Sequence, residues 1–280
     1  MKTFLRDTIN YLDLFSWFFV FVFFCGSALI FDGSLALAAA GATAIIIEML
    51  FIAVAVEIII ESLKNKKGIG TLTGFITNGP EAVCLIVGLA VGDIIFAAST
   101  PLGSNFINPL LLLVAALLSG QLLTLFRCHR GYSLFTIFGT ASLAGSFFLL
   151  KTPHYPYWLF SALTLTLPLF YLRPEEQKRQ EEAFTFSPAL WLLPAVILLT
   201  AAGYFLDPVV SFTAHHSRVP KGVIGFIVLS TLTSWPEFKS CLALLKRKQL
   251  VGAILNITVS NITNIWLAAI GVAAYYFGGQ

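Results

Sequence analysis

Thr77-Asn-Gly-Pro-Glu81 and, 156 residues later, Thr233-Ser-Trp-Pro-Glu237 are one polar, helix-breaking phrase written twice inside strongly apolar sequence. The same shift relates Gly103-Ser-Asn-Phe-Ile-Asn108 to Val259-Ser-Asn-Ile-Thr-Asn264. Six identities fall in register without a gap: Thr77/Thr233, Pro80/Pro236, Glu81/Glu237, Ser104/Ser260, Asn105/Asn261 and Asn108/Asn264. The apolar positions between them have diverged, while the polar residues, which lipid disfavours, have been kept. Each Pro removes a backbone donor within an apolar run and frees carbonyl oxygens. Each is followed by a carboxylate, which costs about 3 kcal/mol at the centre of a bilayer on insertion scales. Packing alone needs no such group, so the duplicated Pro-Glu pair marks a function.

Working outward, the 280 residues are 58% hydrophobic and 11% charged, with 26 Phe. That is too little charge to cover a water-soluble domain. Runs long enough to span a bilayer fall at 9–31, 33–63, 68–91, 92–120, 131–150, 154–172, 188–214, 221–245 and 249–278. No strand-type alternation is present, so the expected fold is an all-α polytopic membrane protein of about nine transmembrane helices rather than a barrel. The abundant Phe fits a lipid-facing surface. The basic residues test the count, because cytoplasmic loops collect Lys and Arg. With the N-terminus inside, 13 of the 17 lie in inner segments (Lys2, Arg6, Lys64, Lys66, Lys67, Arg127, Arg130, Arg173, Lys178, Arg179, Lys246, Arg247, Lys248). Lys151, Arg218 and Lys221 lie outside, and Lys239 falls within a span. This predicts a cytoplasmic N-terminus, an outer C-terminus and a retained first helix rather than a cleaved signal peptide. The charged stretch 173–187 reads as a cytoplasmic linker between two membrane halves.

Five spans separate the helices carrying Glu81 and Glu237. An odd number sets the two copies in opposite directions across the membrane, which makes them inverted repeats. That is the usual plan of secondary transporters, with the substrate bound at the midplane where broken helices meet. Two carboxylates there repel unless a cation or a proton lies between them. The surrounding oxygens come from Ser, Thr and Asn, with no His or Cys motif, which suits Ca²⁺ or Na⁺ rather than zinc or copper.

These segments resemble the two α-repeats of the sodium/calcium exchanger (cation/calcium antiporter) superfamily, whose pattern is a Pro-Glu break followed by Gly-Ser-Asn-x-x-Asn or Gly-Ser-Asn-x-x-Asp. The resemblance implies Glu81 and Glu237 as principal Ca²⁺ ligands, Thr77 and Thr233 through carbonyls, and Ser104 and Ser260 through hydroxyls. Asn108 and Asn264 follow as side-chain partners, with Asn78, Ser234, Asn105 and Asn261 beside them. It further implies an N-terminal extra helix (1–32), a first repeat half (33–172, motif 77–108) and a shortened second half (188–280, motif 233–264). A second copy of the chain is one expected source of the missing packing. The chain departs from the family pattern at Asn78, where Ser is usual, and at Trp235. Both terminal positions are Asn, which looks more like the proton-coupled exchangers, so H⁺ and Na⁺ both stay open as the coupling ion.

Other residues admit plainer roles. Lys239 reads as snorkelling to the inner surface or pairing between helices. Glu48, in the second run, either senses protons or hydrogen-bonds inside the bundle. Glu57 and Glu61 with Lys64 read as an interfacial ion-pair set, and His215 and His216 as an exposed loop pair. Cys25, Cys84, Cys128 and Cys241 read as free thiols. No nucleophile–base pair, zinc motif or nucleotide loop is present, and no basic groove for nucleic acid. The expectation is therefore an integral protein of the plasma (inner) membrane, surrounded by lipid, with no cofactor beyond its transported ions and no enzymatic activity. It would exchange Ca²⁺ for H⁺ or Na⁺; a passive cation channel and a non-transporting assembly subunit are the alternatives.

Overall fold

The computed structural model describes residues 11–63, 78–175 and 191–278, and every regular element among them is helical. The helices are α1 (Asp13–Ile30), α2 (Leu35–Leu63), α3 (Gly79–Ala90), α4 (Ile94–Leu118), α5 (Leu122–Arg127), α6 (Arg130–Phe147), α7 (Tyr155–Tyr171) and α8 (Leu192–Ser217). There follow α9 (Lys221–Val223), a π-helical stretch (Ile224–Leu229), α10 (Ser230–Thr233), α11 (Trp235–Lys246) and α12 (Leu250–Phe277). Among the described residues, five helices are long and apolar enough to cross a membrane: α1, α2, α4, α8 and α12. The runs expected at 131–150 and 154–172 are the shorter helices α6 and α7, of 18 and 17 residues.

Large apolar side chains face outward, as lipid requires and water forbids: Phe18, Phe160 and Tyr204 are 69%, 73% and 76% exposed. Inside, α2 and α8 pack along one another, and α1 lies against both through Val20, Phe24 and Ala28. The other body is built on α4 and α12, with α3 and α11 against them and α6 and α7 flanking α12. The packing is tightest where side chains vanish. A Cβ on Gly103 of α4 would run into the Phe226 carbonyl oxygen, and one on Gly225 into the Ser99 hydroxyl. The π-helical stretch therefore lies directly on α4, as small residues permit in membrane bundles. Asp93 starts α4 by accepting the Phe96 N–H at 2.9 Å, an ordinary N-cap.

His215 and His216 are not in a loop. The chain stays helical through Ser217 and turns only at Arg218, whose φ of 61° ends α8, so both imidazoles stand on its last turn. Their rings contact each other at 4.9 Å. None of the four cysteines forms a disulfide. Glu61 and Lys64 lie outside the residues whose side chains the structure describes, so the ion-pair set expected with Glu57 does too.

Candidate functional site

The phrase beginning at Thr233 is a break between helices. α10 ends at Thr233, Ser234 forms the junction, and α11 starts at Trp235 with Pro236 in its first turn. In the first phrase Asn78 stands ahead of α3 and Pro80 lies in its first turn. Proline suits this position because its missing N–H would be unpaired there anyway. Each glutamate consequently stands in the first turn of its helix, where the unpaired N–H groups and the dipole favour a negative charge.

Packing of α4 and α12 against these helices brings the two phrases together. Thr77 lies outside the described residues. The other eleven candidates, Asn78, Glu81, Ser104, Asn105, Asn108, Thr233, Ser234, Glu237, Ser260, Asn261 and Asn264, are all buried. Glu81 is fully enclosed and Glu237 is 6% exposed. The Ser104 hydroxyl lies 3.4 Å from Glu81 Oε1 and 3.5 Å from the Thr233 hydroxyl, so it stands between the two motifs.

A second set of contacts joins the copies side by side. Asn78 Nδ2 donates to the Ser260 carbonyl at 3.2 Å and to the Thr263 hydroxyl at 2.5 Å, while the Ser260 hydroxyl donates to Asn78 Oδ1 at 3.1 Å. Asn108 Nδ2 donates to the Ser260 hydroxyl at 3.2 Å and to Asn261 Oδ1 at 3.0 Å. Asn261 Nδ2 then donates to the Asn105 carbonyl at 3.3 Å and reaches the Thr140 hydroxyl on α6 at 3.5 Å. Pro109 explains why that carbonyl is available. It stands four residues after Asn105 inside α4 and has no N–H to return.

Several buried polar atoms in this region find no partner among the described residues. They are Oε2 of both Glu81 and Glu237, Oδ1 of Asn105 and Asn108, the Ser234 and Thr100 hydroxyls, and both amide atoms of Asn264. Buried polar groups are normally paired, so these oxygens suit a cation. Among the described residues no three His, Cys, Asp or Glu converge. What this site offers is two carboxylates amid neutral oxygens, the hard-oxygen chemistry of Ca²⁺ and Na⁺.

Residues 186–278 match the family model described as sodium/calcium exchanger protein. The matched region runs through α8 to α12 and contains the whole second motif, from Thr233 to Asn264. No curated protein and no solved structure matches the chain. The family consists of transporters rather than enzymes, and its function in general is cation and calcium exchange. That match and five helices long and apolar enough to cross a bilayer together support an integral membrane protein.

Several neighbours of the site were not legible as such in sequence. Asn256 of α12 donates to the Glu237 carbonyl at 3.3 Å. Thr263 and Thr140 belong to the cross-link without belonging to the motif. Glu48 is half-buried on α2, and its Oε2 has no partner among the described residues. The residue of α2 that meets the first break, at Gly79, is Val56, about two turns further along.

Asn78→Ala removes the three hydrogen bonds that tie the start of α3 to Ser260 and Thr263 of α12. The expected cost is about 1–3 kcal/mol, read as a fall of several degrees in the thermal midpoint of the purified protein. An unchanged midpoint would show that this cross-link carries no stability.

Proposed function

We propose that the chain is a secondary active antiporter that exchanges Ca²⁺ for H⁺ or Na⁺ by alternating access. The observation that carries this reading is that two buried carboxylates, each in the first turn of a Pro-initiated helix, come from segments 156 residues apart, with the Ser104 hydroxyl between Glu81 and Thr233 of the other segment. In this reading the chain makes nine spans with the N-terminus in the cytoplasm, and the two motif-bearing halves are inverted repeats around a midplane site. Glu81 and Glu237 hold the divalent ion. Ser104, Thr233, Ser234, Asn264 and the Thr77 carbonyl complete its oxygen shell, and Asn78, Asn105, Asn108, Ser260 and Asn261 brace the two motifs against each other.

The mechanism follows from charge. Without a cation the carboxylates repel, and protons or Na⁺ ions must neutralise them before the site can cross a low-dielectric interior. A Ca²⁺ ion balances both at once. The loaded forms cross and the bare dianion does not, so inward and outward fluxes are coupled.

The test is uptake of radiolabelled Ca²⁺ into proteoliposomes under an imposed Na⁺ or pH gradient. Uptake driven by one gradient, and absent without it, is expected and names the coupling ion. Flux that needs neither gradient points to a channel, and absence of flux to a non-transporting subunit; either overturns the proposal.

A further inference from the structure

Tyr132, Thr136 and Thr140 of α6 stand four residues apart, so they form one stripe that climbs about 12 Å along the helix. Tyr132 lies in the first turn, at the end of the bundle that the proposed topology places in the cytoplasm. Thr140 lies two turns further in, and α4, α7 and α12 pack against this helix. Thr136 and Thr140 are fully buried, and so is the Tyr132 hydroxyl.

Thr140 behaves as a hydroxyl in an apolar helix usually does, donating to the Thr136 carbonyl four residues back at 2.8 Å. The Tyr132 hydroxyl and Thr136 Oγ1 find no partner among the described residues. Packing does not account for them, since Phe and Val would fill the same volumes without burying an unpaired hydroxyl, which costs about 1–3 kcal/mol. The deep end of the stripe meets the motifs. Asn261 Nδ2 reaches the Thr140 hydroxyl at 3.5 Å, and Asn108 donates to Asn261 Oδ1 at 3.0 Å. Oδ1 of Asn105 and Oδ1 of Asn108 also lack a partner among the described residues. Asn108 stands one turn after Ser104 on α4, and the Ser104 hydroxyl lies at Glu81.

We infer that Tyr132, Thr136 and Thr140 line a file of water molecules that leads from the end of the bundle to Asn105 and Asn108 and serves as the route of the monovalent coupling ion. The route rests on the proposed antiporter; the file itself does not. A hydroxyl both donates and accepts, so each of the three can bridge successive waters. None of them carries charge. Their neutral oxygens return too little to a divalent ion that sheds its hydration shell, whereas a proton or a Na⁺ ion asks less of them.

The file is tested on purified protein whose four native cysteines are replaced by Ala, from the intact mass after reaction with the small cationic reagent aminoethyl methanethiosulfonate. Thr136→Cys and Thr140→Cys are expected to react at least about tenfold faster than Ala144→Cys, because thiol reactivity follows access to water. Ala144 is equally buried and stands one turn beyond Thr140 on the same stripe. Thr136→Cys reacting no faster than Ala144→Cys overturns the file. The route is tested by uptake of radiolabelled Ca²⁺ into proteoliposomes under a pH gradient and a Na⁺ gradient in turn. Thr136→Val should slow uptake about tenfold, the rate factor for one hydrogen bond lost from the path. Its thermal midpoint should equal or exceed that of wild type and its equilibrium Ca²⁺ binding should not change, while Thr136→Ser stays near wild type. The gradient whose effect falls names the ion that uses the file. An unchanged rate in Thr136→Val, or a rate that falls together with the midpoint, overturns the route. Should the cysteine-free protein not fold, Thr136→Val alone decides. Reactive cysteines in a protein that transports no Ca²⁺ sink the antiporter reading and leave the file standing. Unreactive ones in a protein that transports Ca²⁺ overturn the file alone.

Discussion

Glu81→Gln and Glu237→Gln are each expected to abolish gradient-driven Ca²⁺ uptake while the protein stays folded. Each substitution keeps the shape of the side chain and removes one of two negative charges from a buried site. A divalent ion in direct contact with a carboxylate loses so much Coulomb energy that affinity should fall by at least about a hundredfold. Stability should move the other way. A buried carboxylate pays desolvation that an amide does not, and the two glutamates repel. The thermal midpoint of either variant, measured without Ca²⁺, should therefore equal or exceed that of wild type. Retained uptake in either variant would remove that residue from the site. Lost uptake with a collapsed midpoint would make the residue structural.

The second large effect is expected at Gly103. A Cβ there meets the Phe226 carbonyl, a backbone atom that cannot rotate aside. Phe226 belongs to the π-helical stretch, and its carbonyl also accepts the Ser230 hydroxyl. Gly103→Ala should cost about 1–3 kcal/mol by overpacking, and Gly103→Leu should prevent a folded protein from being recovered. Transport should fall with Gly103→Ala as well, because displacing the stretch displaces Thr233 and Glu237 further along the same chain. Gly131→Ala is the control: a Cβ there meets nothing within 4 Å, and helix propensity favours Ala. Its midpoint should be equal or higher. A Gly103→Ala midpoint matching wild type would show that α4 and the π-helical stretch separate easily.

The polar framework of the site was readable because the background is apolar. In a chain where lipid removes charge, Pro-Glu repeated in register is a conspicuous signal, and all eleven described candidates are buried. Partners were not readable in the same way. Asn78 and Ser234 occupy matching positions, yet the Asn78 amide is fully engaged by α12 while the Ser234 hydroxyl has no partner among the described residues. One residue type reaches across and the other is too short. Lys239 was expected to pair or to snorkel, and it pairs, but its partner Asp13 sits 226 residues away on a helix outside the repeat. The π-helical stretch carries no signature in composition. It follows from how closely Gly103 and Gly225 let two backbones approach.

The contacts between the motifs bear on how such a sequence can change over generations. Asn261 bonds the carbonyl of Asn105, its own counterpart in the other copy, and Asn108 bonds both Ser260 and Asn261. A mutation in one copy is thus met by unaltered chemistry in the other, and each half acts as a template against which its twin is selected. The apolar positions face lipid or plain packing and have been free to diverge. Where the copies do differ at a polar position, Asn78 against Ser234, the bonding differs as well. At that one position the two motifs part in their bonding, while the residues they share keep a common register.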